Sequence, residues 1–153
     1  MAVLVMGLVA KLADLFSRRP SRRAALGARG ERLAAKHLKA KGFTVIGRNL
    51  RTDAGEVDIL CLDPDRHTVV VVEVKTRTLR EGEESPFLPP EASVTAQKRR
   101  TLVRLAHDLA HANGWTGRPI RIDVVAVEWP EGREPTVRHH PGAVNRSRVA
   151  TSR

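Results

Sequence analysis

The chain has 153 residues, 41% of them hydrophobic, and 27 Lys and Arg against 17 Asp and Glu give a formal charge of +10. That suits one compact core rather than two, and the single cysteine, Cys61, excludes an internal disulfide and paired-cysteine zinc sites and fits a reducing, cytoplasmic setting. The charge favours a polyanionic partner, nucleic acid before an anionic membrane surface, while 3% aromatic content with no tyrosine argues against a stacking surface for single strands.

The segment Met1 to Phe16 is apolar from Ala2 to Ala10, short of the ~20 residues that span a bilayer. It has no basic residues ahead of the apolar run and no clear cleavage site after it, so it is a poor signal peptide. Val5, Leu8, Val9, Leu12 and Phe16 repeat at helical spacing before Arg18, Arg19, Arg22 and Arg23. Residues 1–26 read as an apolar and basic extension that packs on the domain or frays, with a membrane-surface helix as the alternative. The domain proper is expected over 27–140, followed by a basic flexible tail over 141–153.

Within the domain, Gly27 to Lys41 has a helical pattern, with Leu26, Gly30, Leu33, Ala34, His37 and Leu38 on one face and Gly42 as the stop. A short strand is expected over Phe43–Ile46, then a turn at Thr52–Gly55. Strands at Glu56–Leu62 and Thr68–Arg77 flank a hairpin turn at Pro64–His67. Four consecutive valines, Val69 to Val72, mark a central strand covered on both faces. A polar loop follows from Leu79 to Glu91. Thr95 caps a second helix that runs to Asn113, with Leu102, Leu105, Ala106 and Leu109 as its buried stripe. Ile120–Trp129 is a fourth strand and Thr136–His140 a short edge strand. The fold class is α/β with a small mixed sheet flanked by helices.

The hairpin register carries the chemistry. Closing Pro64–His67 as a two- or four-residue loop sets Asp58 opposite Glu73 and Glu56 opposite Lys75. Directly opposed residues share a face with Cβ atoms ~5 Å apart, as do residues two apart on one strand. Two facing carboxylates repel by about 4 kcal/mol at ~4 Å and an effective dielectric near 20. A bound cation offsets that directly, and hard oxygen ligands suit Mg²⁺ or Mn²⁺. Lys75 on the same face is placed to orient or deprotonate an attacking water or to stabilise charge on a phosphate. The competing account is a solvated Glu-x-Lys face, which the valine run and the opposing Asp58 disfavour.

Five stretches carry a resemblance: Gly30-Glu31 with Ala34 and Leu38; Arg48-Asn49-Leu50-Arg51; Gly55-Glu56-Val57-Asp58-Ile59-Leu60; Val72-Glu73-Val74-Lys75-Thr76-Arg77; and Arg121-Ile122-Asp123-Val124-Val125. Over about Gly27–Val127 the chain resembles the YraN family of bacterial proteins. That family is similar to the archaeal Holliday-junction resolvases and the wider PD-(D/E)xK nuclease superfamily. The resemblance implies a restriction-endonuclease-like core of helix, three strands, helix and strand. It implies Asp58 and Glu73 as metal ligands, the Val74 carbonyl as a third, Lys75 as the catalytic lysine and Glu31 as the acidic residue that completes the site. Val57 stands where the superfamily name has proline. Related nucleases also place polar residues where Gln97 and Lys98 open the second helix. Arg48, Arg51, Arg77, Lys98 and Arg99 are the candidate phosphate contacts, which position a backbone without reading sequence.

The expected activity is therefore Mg²⁺- or Mn²⁺-dependent hydrolysis of phosphodiester bonds in DNA, branched or otherwise structured, with a homodimer expected by analogy. The alternative is a nucleic-acid-binding module that keeps the fold without turnover. Asp123, with Arg121 on the same face, reads as a structural ion pair.

Overall fold

A run of apolar residues with no polar interruption can be buried on both faces of a strand, and Val69 to Val72 are all 0% exposed. The computed structural model describes residues 21–83 and 94–143. Its elements are α1 (Arg22–Ala40), β1 (Thr44–Thr52), β2 (Gly55–Leu62), β3 (Val69–Leu79), α2 (Ala96–Ala112), β4 (Ile120–Pro130) and β5 (Thr136–His140). The expected N-terminal extension up to residue 20, the far part of the 79–91 loop and the tail beyond 143 lie outside the described residues.

The strands form one sheet in the order β1-β2-β3-β4-β5. β3 and β4 are parallel and every other pair is antiparallel. The valine run alternates between two cores. Val69 and Val71 pack with Leu60, Val124 and the α2 residues Leu102 and Leu105. Val70 and Val72 pack with Ile59, Val125 and the α1 residues Ala34 and Leu38. Each such fully buried side chain contributes about 1.5–3 kcal/mol. The fold is thus α/β, a mixed five-stranded sheet with a helix on each face, in the expected element order.

Three boundaries differ from the sequence reading. α1 starts at Arg22, so residues 22–26 belong to the helix and not to the extension. Ser21 caps it, its hydroxyl accepting from the Ala24 N–H at 3.2 Å. Its first turn, Arg22-Arg23-Ala24-Ala25, carries no large apolar side chain whose spacing would reveal it. β1 runs on to Thr52 rather than stopping at Ile46, with a register shift between Val45 and Gly47. At the other end Ala143 is buried and the Gly142 N–H donates to Asp123 Oδ1 at 2.8 Å, so the ordered domain passes residue 140.

Gly30 sets how closely α1 lies on β3. A Cβ built there would stand 1.9 Å from Thr76 Oγ1 and 2.9 Å from Thr76 Cβ. Gly30→Ala should therefore cost ~1–3 kcal/mol by overpacking, measured as a lower urea midpoint. Thr76→Ala in the same chain should recover part of it, and equal stability of Gly30→Ala and wild type would refute the close approach.

Candidate active site

The predicted hairpin register holds where the strands pair: Leu62 with Val69, Cys61 with Val70, Leu60 with Val71 and Ile59 with Val72. Pairing ends there, one step before Asp58 and Glu73. Asn49 of β1 lies level with Asp58, between the pairs Arg48 with Ile59 and Leu50 with Val57, and takes φ 51°. That conformation is one asparagine tolerates better than most residues. Val57 and Leu60 both enter the core under α2 while Ile59 enters the one under α1, so strict alternation along β2 breaks at this level.

The opening between β2 and β3 is bridged by Asp58 itself. Its Oδ2 accepts from the Val74 N–H at 2.7 Å. The resemblance gives the Val74 carbonyl as a third metal ligand; the contact that Val74 makes to Asp58 is through its amide. Burial pushes the Asp58 carboxyl up, the Val74 amide opposes that, and the charges of Glu73 and Glu31 raise it further against Lys98, leaving it at about 6. Glu31 is half-buried on α1, next to Gly30, and is coupled to Asp58 by this charge interaction.

Glu73 is 5% exposed and sits between two ammonium groups. Lys75 Nζ donates to Oε1 at 2.9 Å. Lys98 Nζ, from the first turn of α2, lies 3.2 Å from Oε2, at an angle that makes no hydrogen bond. Oε2 is thus a buried carboxylate oxygen with a positive neighbour and no hydrogen-bond donor. Such an atom is costly to leave unsatisfied and suits a cation. Asp58, Glu73 and a backbone group supply hard oxygen donors of the kind Mg²⁺ and Mn²⁺ take, with remaining positions left for water or phosphate oxygens. Among the described residues, no group of three or more His, Cys, Asp or Glu side chains is placed to hold a metal ion. A cation at Asp58 and Glu73 would therefore need its remaining ligands from a backbone carbonyl, water or phosphate oxygens.

The remaining candidates separate. Glu56, expected opposite Lys75, instead pairs with Arg51 of β1, and their side chains form an exposed ion pair at 3.7 Å. The parting of β2 from β3 removes Glu56 from the expected patch. Arg48 and Arg51 stand exposed on β1, two strands from Glu73. Lys98 is brought to Glu73, and Arg99 follows it, half-buried. Arg77 lies two residues past Lys75, 4.0 Å from the buried Glu128, which also holds Arg138 in a close ion pair. Neither Glu128 nor Arg138 was a candidate from sequence.

Asp123 belongs to the opposite face, level with Val72. It is 0% exposed and accepts from Arg121 at 2.8 and 3.0 Å, lies 2.8 Å from His139 Nε2, and accepts from the Gly142 N–H. Burial works to raise its carboxyl, but the bonds from His139, Arg121 and Gly142 outweigh burial and hold it below the usual range. This cluster ties β5 to β4, the structural role read from the sequence.

A model of the uncharacterised protein family UPF0102 matches residues 30–127. A UPF0102 protein of Anaeromyxobacter dehalogenans is 44% identical over 121 residues, covering 79% of this chain and 84% of the relative. One from Renibacterium salmoninarum is 40% identical over 118 residues, covering 76% and 93%. Among solved structures, the chain is similar to a repair endonuclease from Pyrococcus abyssi at a TM-score of 0.40 and 21% identity, covering 76% of this chain and 42% of that one. It is also similar to Pyrococcus furiosus SfsA in complex with Ca²⁺, at a TM-score of 0.37 and 18% identity, covering 77% and 63%. The chain thus spans less than two thirds of either solved chain. The family match takes in Glu31, Asp58, Glu73, Lys75, Arg77 and Lys98 and ends before Glu128 and Arg138.

Proposed function

The chain belongs to the UPF0102 family, the YraN family its motifs resemble, and on that premise we propose that it is a metal-dependent phosphodiesterase acting on structured or duplex DNA. The observation that carries the reading is the pair Asp58 and Glu73. Both follow the last β2–β3 pair, the charge of Glu73 acts on Asp58, and Glu73 keeps a buried oxygen without a hydrogen bond beside two lysines. Asp58, Glu73 and the Val74 carbonyl would hold Mg²⁺ or Mn²⁺, with Glu31 near enough to add its charge. Such an ion supplies positive charge against a phosphate and lowers the pKa of water.

The chain's own residues do the rest. The Val74 amide orients the Asp58 carboxylate. Lys75, half-exposed and anchored on Glu73, presents an ammonium to the non-bridging oxygens of a phosphate, or to the water that attacks it. Lys98 approaches from the α2 side, held by the helix that Thr95 caps through a 3.2 Å bond from the Lys98 amide. The net charge of +10 draws the polyanion in.

Lys98 also favours a second reading, a binding module without turnover, because it already neutralises Glu73 where a cation would sit. One assay decides between them. Labelled duplex, nicked and four-way branched DNA are incubated with Mg²⁺, Mn²⁺ or EDTA. Wild type should give a metal-dependent product that an Asp58→Ala, Glu73→Ala double variant does not. Salt-sensitive binding with no product in either metal would reject the phosphodiesterase and leave the binding module.

A further inference from the structure

Opposed residues on neighbouring strands share a face, so the register of β3, β4 and β5 maps what surrounds Glu73. Glu73 is level with Val124, Lys75 with Ala126 and Arg77 with Glu128. Val124 is in turn level with His140, and Ala126 with Arg138. Val124 packs in the core under α2, but Ala126 is outside that core and half-exposed. The face therefore changes character within one step along the strands. On one side is a helix-covered core; on the other Ala126 offers only a methyl group, with Lys75, Arg77, Arg138 and His140 at neighbouring positions of the same face.

Glu128 is the unusual member. Its side chain is 6% exposed, with Arg77 4.0 Å away and Arg138 paired more closely. A buried carboxylate is costly unless it is paired, and Glu128 is paired with both guanidinium groups. The two arginine side chains are 39% and 36% exposed, so they reach solvent from a held base. Arginine's planar fork suits phosphate, and a fork held before binding loses less freedom on contact. Arg138 is two strand spacings from Lys75, about 10 Å, which suits a neighbouring phosphate rather than the same one.

We infer that Arg77 and Arg138, held by Glu128, form a phosphate clamp that carries a duplex nucleic-acid backbone across β3, β4 and β5 toward Asp58 and Glu73. The direction of that path rests on the phosphodiesterase reading; the clamp's affinity for the backbone does not. Glu128 is a positioning residue in this account. Its charge opposes the ligand, and its contribution is to order the two arginines.

The test is fluorescence anisotropy with a labelled DNA duplex in EDTA, over a range of KCl, on the full chain. Arg138→Ala should weaken binding roughly tenfold and make the slope of log K against log salt shallower by about one. Glu128→Gln gives the sharper result. It adds one positive charge to the protein, so an unstructured field would bind DNA more tightly, whereas the clamp requires weaker binding by several-fold. Arg66→Asn is the control. It removes one cation at the far turn of the β2–β3 hairpin, where φ is 57° and asparagine is tolerated, and should change affinity by less than about twofold. Arg138→Lys, which keeps charge and stem but not the fork, should fall between wild type and Arg138→Ala, and it serves if alanine unfolds β5. Arg138→Ala or Arg138→Lys indistinguishable from Arg66→Asn, or tighter binding by Glu128→Gln, overturns the clamp alone. A wild type with no salt-dependent duplex binding overturns both the clamp and the nucleic-acid reading.

Discussion

Replacing Lys75 with alanine is expected to lower metal-dependent cleavage by roughly 10²–10³-fold while leaving duplex affinity within a few-fold. The asymmetry follows from where the ammonium lies. Its Nζ is 2.9 Å from Glu73 Oε1 and the side chain is 42% exposed, at the rim of the carboxylate pair. A charge there meets negative charge that develops on the phosphate during attack. It is one cation among 27, so its share of general attraction to the backbone is small. Only an interaction stronger in the transition state than in the ground state raises the rate, so the loss should fall in kcat rather than KM. Lys75→Arg should recover little, because a planar fork cannot occupy the position of a compact ammonium. Single-turnover assays on pre-bound duplex separate the two effects. A variant that cleaves at the wild-type rate once bound, with only KM raised, would assign Lys75 to binding and remove it from the chemistry.

Much of this site was legible because it is local. The hairpin from Glu56 to Arg77 closes over a short turn, and the turn sets the register, so four observed pairs follow from where Pro64–His67 lies. The valine run announced a strand with a core on each side, and both cores are present. The same extrapolation failed one step further, at Glu56. Ideal pairing does not foresee that Asn49 takes a left-handed conformation beside Asp58, or that Asp58 turns its carboxylate onto a backbone amide. The pairing of Glu128 with Arg138 crosses a short antiparallel turn and was not read from the sequence, whereas the place of Glu128 beside Arg77 was beyond reach for a different reason. The β3–β4 register is parallel and spans a helical crossover, so no turn sets it. It depends on how Leu102 and Leu105 of α2 settle on Val71 and Val124. The α1 start at Arg22 was hidden because a cap and a first turn of two arginines and two alanines leave no periodic trace.

Burial of the Asp58 carboxyl, and after it the charge of Glu73, should also make the free protein less stable than it need be. The folded-state pKa of Asp58 stands at about 6 against an ordinary value of 3.8. A carboxyl raised on folding stabilises the native state fully below about pH 4. That contribution is lost as pH rises through about 6, where the folded protein must ionise a buried group beside Glu73. The penalty at neutral pH is of order 3 kcal/mol. Asp58→Asn keeps an acceptor for the Val74 amide and carries no charge. It is therefore expected to be more stable than wild type by about 2–3 kcal/mol near pH 7.5, with the advantage gone below about pH 4, as read from urea melts at both pH values. Mg²⁺ or Mn²⁺ should narrow the gap, because a ligand that binds only the native state stabilises it by mass action. Calorimetric titration near pH 6 should show protons released as the cation displaces them from Asp58. A variant no more stable than wild type at pH 7.5 would mean that the Asp58 charge is not costly where it is buried beside Glu73. Equal stabilisation of both proteins by the cation would place the metal elsewhere. The expected pattern, stability gained and turnover lost in one substitution, is that of a site whose charges are arranged for a ligand and not for the resting fold.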